Sequence, residues 1–322
     1  MNKNQAIRYD YLIVGQGLAG SAMAIHLLKR NRKFMVIDLP DKNVSSSVAA
    51  GIYNPITGKN WVKTWKADQL FPYMKSFYQE TERLTNSKFF RDRIIYRPFS
   101  FLSDQNDWMG KYEDERYKNL IHQINTEPID KDIISNPYGG LSLSSGGNLN
   151  IKVYIREIRK LLIEADIYRE EFFDFEAVRD IGSSFFYKDF EFDRIIFCQG
   201  PGYGIKKYWD FLPLYEVKGE ILTISIKDQI DKIYNKGVFV LPLDGKICKV
   251  GSTYERIKID TGPTNTGKKE LLDKLEVFFK PGYDIIDHKS GIRPTTVDRK
   301  PFLGMHPNNK KLVILMALEQ KV

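Results

Sequence analysis

Three glycines carry the strongest chemical signal in this chain. Gly15, Gly17 and Gly20 follow the apolar run Tyr11-Leu-Ile-Val14 and lead into Ser21-Ala-Met-Ala-Ile-His-Leu-Leu28; a second apolar run, Phe34-Met-Val-Ile37, then closes on Asp38. Each position has a task in holding a dinucleotide. Gly15 permits the tight turn, Gly17 lets backbone approach a pyrophosphate, and Gly20 lets the helix lie close to the strand. The amide end of that helix offers N–H groups and a positive dipole end to phosphate charge. Asp38 stands where a carboxylate accepts hydrogen bonds from a ribose diol. A G-x-G-x-x-G alone is weak. Here strand, helix, second strand and acid follow in register, as the motif requires.

Other residues with chemical promise fall short on spacing. Gly262-Pro-Thr-Asn-Thr-Gly267-Lys268 fits a phosphate loop, but Lys269 replaces the hydroxyl residue that would hold magnesium. Gly51 to Lys59 has the wrong spacing altogether. The four histidines, His26, His122, His288 and His306, show no paired-ligand spacing, so no metal site is expected. Cys198 and Cys248 form no CxxC pair, and two cysteines in so long a chain point to a reducing, cytoplasmic setting.

The elements that must position the glycines read as a parallel β-α-β unit followed by a different architecture. Asp41 to Gly51, with Ser45-Ser46-Ser47 and Ala49-Ala50-Gly51, reads as a loop of tiny side chains, either a linker or a place where backbone nears a flat ligand. Asp68 to Leu84 reads as an amphipathic helix, with Leu70, Met74, Phe77 and Leu84 near helical spacing. Ile151 to Ala165 and Lys268 to Phe279 are further helices. Arg93 to Ser103, Phe172 to Val178 and Glu216 to Ile226 read as strands, with Leu222, Ile224 and Ile226 on one buried face. Asp244-Gly245 between Gly237–Leu243 and Lys246–Ser252 signals a hairpin. Arg194-Ile-Ile-Phe-Cys198 is a buried-type strand opening into Gln199-Gly200-Pro201-Gly202, where doubly wound sheets place ligands.

Composition excludes several classes. The 322 residues are 42% hydrophobic and 13% aromatic, enough for a packed core of two domains or one large one, which excludes general disorder. With 23 Gly, 14 Pro and 2 Cys, collagen-like and disulfide-stapled classes fail as well. The most apolar window, Tyr11 to Leu28, is broken by Gln16, Ser21 and His26, so no membrane span is expected, and the polar start argues against a signal peptide. The 49 Lys and Arg are interspersed with 41 Asp and Glu, so the net charge of +8 reads as a solvated surface rather than a nucleic-acid footprint.

Taken in order, these landmarks resemble the D-amino-acid oxidase, glycine oxidase and sarcosine oxidase superfamily of FAD enzymes over nearly the whole chain. The resemblance rests on Asp10 to Gly20, Ser46 to Gly51, Arg194 to Gly200, Leu212-Pro-Leu-Tyr-Glu-Val-Lys-Gly-Glu220, Leu241-Pro-Leu-Asp-Gly245 and Val250-Gly-Ser-Thr253. It continues through Gly291-Ile-Arg-Pro294, Asp298, Pro301 and Gly304. It implies an α/β fold with a glutathione-reductase-like, Rossmann-type FAD-binding domain (1–72, 140–205 and 288–322) and a mainly antiparallel-sheet substrate domain (73–139 and 206–287).

The resemblance also implies site residues. The ADP half of a non-covalent FAD would meet Gly15, Gly17, Leu18, Ala19, Gly20, Asp38 and Leu39. Ser46, Ser47, Ala49, Ala50 and Gly51 would line its passage toward the flavin. Val178, Cys198, Gln199 and Gly200 complete the expected contacts. Arg293 matches the arginine that pairs with a substrate carboxylate, the alternative being a structural residue beneath the flavin; a guanidinium holds a carboxylate through two parallel hydrogen bonds. His288 and His306 bracket it but read as ordinary core or surface residues. The implied activity is oxidation of the C–N bond of a small amino acid or secondary amine by hydride transfer to flavin N5. Oligomeric state is left open.

Two features keep alternatives in view. Lys59-Asn-Trp-Val-Lys-Thr-Trp-Lys66 alternates cations and aromatics as single-stranded RNA contacts do, and a tRNA wobble-uridine modification oxidase resembles the same superfamily. An aromatic core face with solvated lysines is the preferred explanation of the segment. After Leu312-Val-Ile-Leu315 the chain reads Met316-Ala-Leu-Glu-Gln-Lys-Val322, where the family carries a glycine turn and a final helix. A frameshift accounts for that ending, with truncation or a natural short variant as alternatives. The expected consequence is weakened FAD binding or an inactive flavoprotein.

Overall fold

The computed structural model describes residues 7–40, 45–58, 60–200, 205–298 and 300–316. The chain divides into two compact units. One draws on Met1–Ser47, Ile151–Val217 and Ile292–Glu319, the other on Val48–Asn150 and Lys218–Gly291. These cuts stand at 47/48, 150/151, 217/218 and 291/292, whereas the resemblance implied boundaries at 72/73, 139/140, 205/206 and 287/288. The expected ending at residues 317–322 and the turn residues 201–204 lie outside the described residues.

In the first unit, strand Ile7–Val14 lies parallel to Phe34–Asp38 on one side and to Phe190–Phe197 on the other. Tyr168–Glu170 extends the sheet beyond Phe34–Asp38, and Leu312–Met316 joins Phe190–Phe197, both in parallel. Leu12, Ile13, Met35 and Val36 are fully buried, as strands covered on both faces require. The helix Leu18–Leu28 packs with Ile151–Glu164, whose buried residues Ile151, Tyr154, Ile158 and Leu162 recur at helical spacing. Antiparallel strands Val178–Asp180 and Phe185–Tyr187 widen the sheet.

Two expectations in this unit need correction. Phe172 to Val178 is not one strand: Phe175–Ala177 is a 3-10 turn, because the Asp174 side chain accepts the Glu176 N–H and bends the chain before Val178. Within the expected loop Asp41 to Gly51, Ser45–Val48 forms a single helical turn, while 41–44 lie outside the described residues.

The second unit is built on an eight-stranded sheet ordered Tyr283–Thr295, Tyr215–Ile226, Ile247–Gly251, Val238–Pro242, Ile233–Lys236, Ile95–Pro98, Gly140–Leu143 and Ile121–Asn125. Pairing is antiparallel from Tyr215–Ile226 to Ile233–Lys236, parallel between Ile233–Lys236 and Ile95–Pro98, and antiparallel again to Ile121–Asn125. Leu222, Ile224 and Ile226 are buried, whereas Thr223 and Ser225 are half-buried, so the expected alternation holds. Asp244-Gly245 turns the predicted hairpin, with Gly245 at φ +65°.

Two details of this unit differ from expectation. The strand predicted over Arg93 to Ser103 is confined to Ile95–Pro98; Leu102–Lys111 is helical because the Asp104 carboxylate accepts the N–H groups of Ser100 and Phe101 at its start. The helix Ala67–Thr85 forms as predicted, but its buried residues are Ala67, Phe77, Thr81 and Glu82, while Leu70 and Leu84 are 42% and 51% exposed. Ahead of the helix at Ile151, the strand Gly147–Leu149 pairs antiparallel with Ile52–Tyr53 and Phe90–Asp92.

Candidate cofactor-binding site

The glycine turn joins the first strand to the first helix with almost no room to spare. Gly15 has φ +97°, and a Cβ there would stand 2.8 Å from the Cys198 carbonyl oxygen and 3.0 Å from Gln199 Cα. A Cβ on Gly20 would overlap the Gly15 carbonyl oxygen. These two glycines therefore let the helix Leu18–Leu28 and the end of Phe190–Phe197 close on the same point. A Cβ on Gly17 would come within 3.2 Å of Ser46 Oγ, which accepts the Leu18 N–H at 3.3 Å. Ser46 thereby caps the helix from a separate turn, with Ser47 next to it in sequence.

Asp38 ends the second strand with its side chain 15% exposed. Its Oδ1 accepts the Gln16 N–H at 2.9 Å, which ties the acid to the glycine turn. Its Oδ2 accepts from Arg159 Nη2 at 3.1 Å and from the Tyr168 hydroxyl at 3.4 Å. Gln16 itself is 1% exposed, donates to Ser21 Oγ and the Ile155 carbonyl, and accepts from Arg159 Nε at 2.7 Å. Burial and the Asp38 charge push the Tyr168 hydroxyl up, so it remains a donor. Sequence reasoning missed Gln16, Arg159 and Tyr168. Gln16 could have been found as the polar residue between two motif glycines; Arg159 and Tyr168 lie 121 and 130 residues from Asp38, beyond any local pattern.

The structure thus brings together Gly15, Gly17, Leu18, Gly20, Asp38, Ser46, Cys198 and Gln199. Ala19 lies in the same helical turn, and Gly200 follows Gln199 at φ +65°, with open space where a side chain would stand. Leu39 is 55% exposed, and Val178 begins the sheet's edge strand, two places from Phe190–Phe197. Ala49, Ala50 and Gly51 belong to the second unit. Arg293 is half-buried near the end of Tyr283–Thr295.

Remaining candidates have other work. His288 Nε2 faces Glu220 Oε2 at 2.8 Å, and His306 stands edge-on to Trp209. At the discounted phosphate loop, Thr264 caps the helix Asn265–Glu276, and Glu220 accepts its N–H and hydroxyl at 3.0 and 2.9 Å. A carboxylate therefore occupies the amide end that a phosphate would need. Trp61 stacks on Phe99, and Lys63 pairs with Asp68 at 2.7 Å and donates to the Arg116 carbonyl. Those two are taken up inside their own unit, Trp65 and Lys66 are exposed, and Lys59 lies outside the described residues. No cluster of metal-ligating side chains occurs among the described residues, and no helix among them is long and apolar enough to cross a membrane.

Comparison with known proteins converges on one assignment. The FAD dependent oxidoreductase family matches residues 10–320. The chain belongs to the FAD-dependent oxidoreductase family. Its fold is similar to glycine oxidase from Geobacillus kaustophilus, at TM-score 0.80 and 18% identity over 97% of this chain and 89% of that one. It is similar also to iminodiacetate oxidase from Chelativorans sp. BNC1, at TM-score 0.75 and 16% identity over 96% and 89%. L-amino acid deaminase from Proteus vulgaris matches at TM-score 0.73 and 14% identity over 99% and 91%.

The residues present fit the ADP half of FAD. A Cβ on Gly15 or Gly20 would run into backbone, so these two close the strand-to-helix turn, while at Gly17, beside the helix amide end, a Cβ would meet only Ser46 Oγ. Gln199, whose Cα lies against Gly15, has a buried Oε1 with no hydrogen-bond partner among the described residues. Asp38 already takes three hydrogen bonds, and a carboxylate has about four acceptor sites, which leaves one for a ribose hydroxyl. Cys198 and Cys248 are buried, and burial pushes both thiols up, Cys248 to about 12.

Proposed function

We propose that this FAD-dependent oxidoreductase holds FAD non-covalently and oxidises the C–N bond of a small amino acid or secondary amine. The observation that carries the reading is the glycine turn, closed against backbone at Gly15 and Gly20 and tied through the Gln16 N–H to Asp38, which sets the amide end of the first helix beside that acid. The names of the structural neighbours, oxidases and a deaminase of glycine, iminodiacetate and L-amino acids, support the amine class. In this reading the first unit holds the ADP half and also carries Arg293.

FAD, when bound, supplies an acceptor at N5 for the hydride that leaves the carbon next to nitrogen. The chain's own residues bind and orient. Gly15, Gly17 and the helix Leu18–Leu28 receive the pyrophosphate, Asp38 the ribose, and Gly200 lets backbone lie close to the cofactor. Arg293 would grip a substrate carboxylate through two parallel hydrogen bonds and so fix the reacting C–H bond.

The test is an anaerobic screen of the purified, FAD-loaded chain with glycine, sarcosine, iminodiacetate, proline and D- and L-alanine. Bleaching of the flavin band by at least one of them is expected. No bleaching by any would sink the amine reading. Arg293→Lys is expected to raise KM about tenfold or more with a smaller change in kcat, since a bidentate grip becomes a point contact. Unchanged kinetics would remove the carboxylate role and leave Arg293 structural.

A further inference from the structure

We infer that Arg159 is a positioning residue for the adenosine ribose, and that Asp38 Oδ1, the oxygen Arg159 leaves open, takes a single hydroxyl of that sugar; this rests on the dinucleotide reading given above. All the groups concerned lie in the first unit. Each oxygen of an ionised carboxylate offers about two acceptor sites. Oδ2 of Asp38 has both filled, by Arg159 Nη2 at 3.1 Å and by the Tyr168 hydroxyl at 3.4 Å. Oδ1 accepts only the Gln16 N–H, at 2.9 Å, among the described residues. The remaining acceptor therefore belongs to the oxygen bonded to the glycine turn, between Gly15 and Gly17. One open site admits one hydroxyl of a diol, not both.

What fixes this choice of oxygen is a guanidinium that is itself held in place. Arg159 Nε donates to Gln16 Oε1 at 2.7 Å while Nη2 of the same side chain donates to Asp38. Nε and Nη2 share one edge of a rigid plane, so the two acceptors are set relative to each other. Gln16 cannot yield. It is 1% exposed, and its Nε2 donates to Ser21 Oγ at 2.9 Å and to the Ile155 carbonyl at 3.0 Å. Ile155 and Arg159 stand one turn apart on the helix Ile151–Glu164, which therefore grips Gln16 at two points. The Arg159 guanidinium also lies 5.5 Å from the centre of the Tyr168 ring, on the strand next to that of Asp38. The dinucleotide motif asks for no particular side chain between its first two glycines. Here Gln16 is the anchor through which a residue 121 positions from Asp38 orients that acid. Arg159 acts on the sugar through Asp38, without touching it.

The experiment compares ADP with its 2′-deoxy and 3′-deoxy analogues, because the ratio of their dissociation constants cancels whatever a variant does to the phosphates or the adenine. Constants are measured by calorimetry on the flavin-free chain for wild type, Arg159→Met and Arg159→Lys. In the wild type one analogue should bind about tenfold more weakly than ADP and the other about as well, the loss of one hydrogen bond to a charged acceptor. Arg159→Met should weaken ADP and bring that ratio down to about twofold or less. Arg159→Lys keeps the charge but cannot hold Gln16 and Asp38 from one edge, so it should restore the ratio only in part. Should Arg159→Met fail to fold, Arg159→Lys decides: a ratio below wild type is expected, and an unchanged one overturns the inference. A tenfold ratio retained in Arg159→Met also overturns it and marks Arg159 as merely structural, whatever happens to ADP affinity itself. Equal penalties for both analogues in the wild type, or none for either, overturn the single acceptor on Oδ1. A wild-type chain that binds no ADP overturns the dinucleotide reading itself, before any variant is made.

Discussion

Gly20 and Gly200 are both motif glycines, yet they are required for different reasons. A side chain at Gly20 collides with backbone, whereas at Gly200 it meets open space and only the φ of +65° opposes it. Gly20→Ala is expected to destabilise the chain by about 3 kcal/mol and to abolish FAD binding, while Gly200→Ala should cost about 1 kcal/mol. Urea midpoints for the two variants check the ranking, and equal midpoints would contradict it. Arg159→Met should lower stability by only about 1 kcal/mol, because its pair with Asp38 keeps some solvent access at 26% and 15% exposure. A larger fall in the urea midpoint would mean that the pair is more deeply structural than its exposure indicates. At this scale the glycines and Asp38 were legible because the dinucleotide motif is local. The partners of Asp38 were not, since Arg159 and Tyr168 reach it through folding alone.

The helix Ala67–Thr85 shows how an element can be foreseen while its orientation is not. Its apolar spacing predicted a stripe through Leu70 and Leu84, but a carboxylate decides which face turns inward. Glu82 accepts the N–H groups of Phe89 and Phe90 at 2.7 and 2.9 Å and pairs with Lys88 at 3.0 Å. Burial works to raise its pKa, but those hydrogen bonds and the Lys88 charge outweigh it and hold the carboxyl below its usual range. A depressed carboxyl contributes stability that is complete above its unfolded pKa and is lost as pH falls through the folded value. Glu82→Gln should therefore lose about 2 kcal/mol near neutrality and show a shallower loss of stability on acidification. Parallel acid limbs for wild type and variant, measured by urea denaturation from pH 6 to 3, would refute this. The shortened strand at Ile95–Pro98 has the same kind of cause, a cap by Asp104 that hydrophobic pattern does not register.

At the scale of the whole chain, the parallel β-α-β start and the later antiparallel hairpin were legible, because strand period and glycine turns encode them directly. The strand order was not, since Ile195 pairs with Leu312 and Ile95 with Ile233 across long stretches of sequence. The order of the motifs nonetheless pointed to the family that matches residues 10–320. Binding only to the folded chain, FAD should raise the melting temperature in a concentration-dependent way, equivalent to about 2.7 kcal/mol at a hundredfold excess over Kd. A melting temperature indifferent to FAD would show that the cradle does not hold it. The carboxylate of Glu220, seated at the amide end of Asn265–Glu276 with Lys218 3.2 Å away, bears on any such titration. That terminus is already neutralised from within, so calorimetry with ADP should count one equivalent per chain, and retention on a nucleotide resin would report the first helix alone.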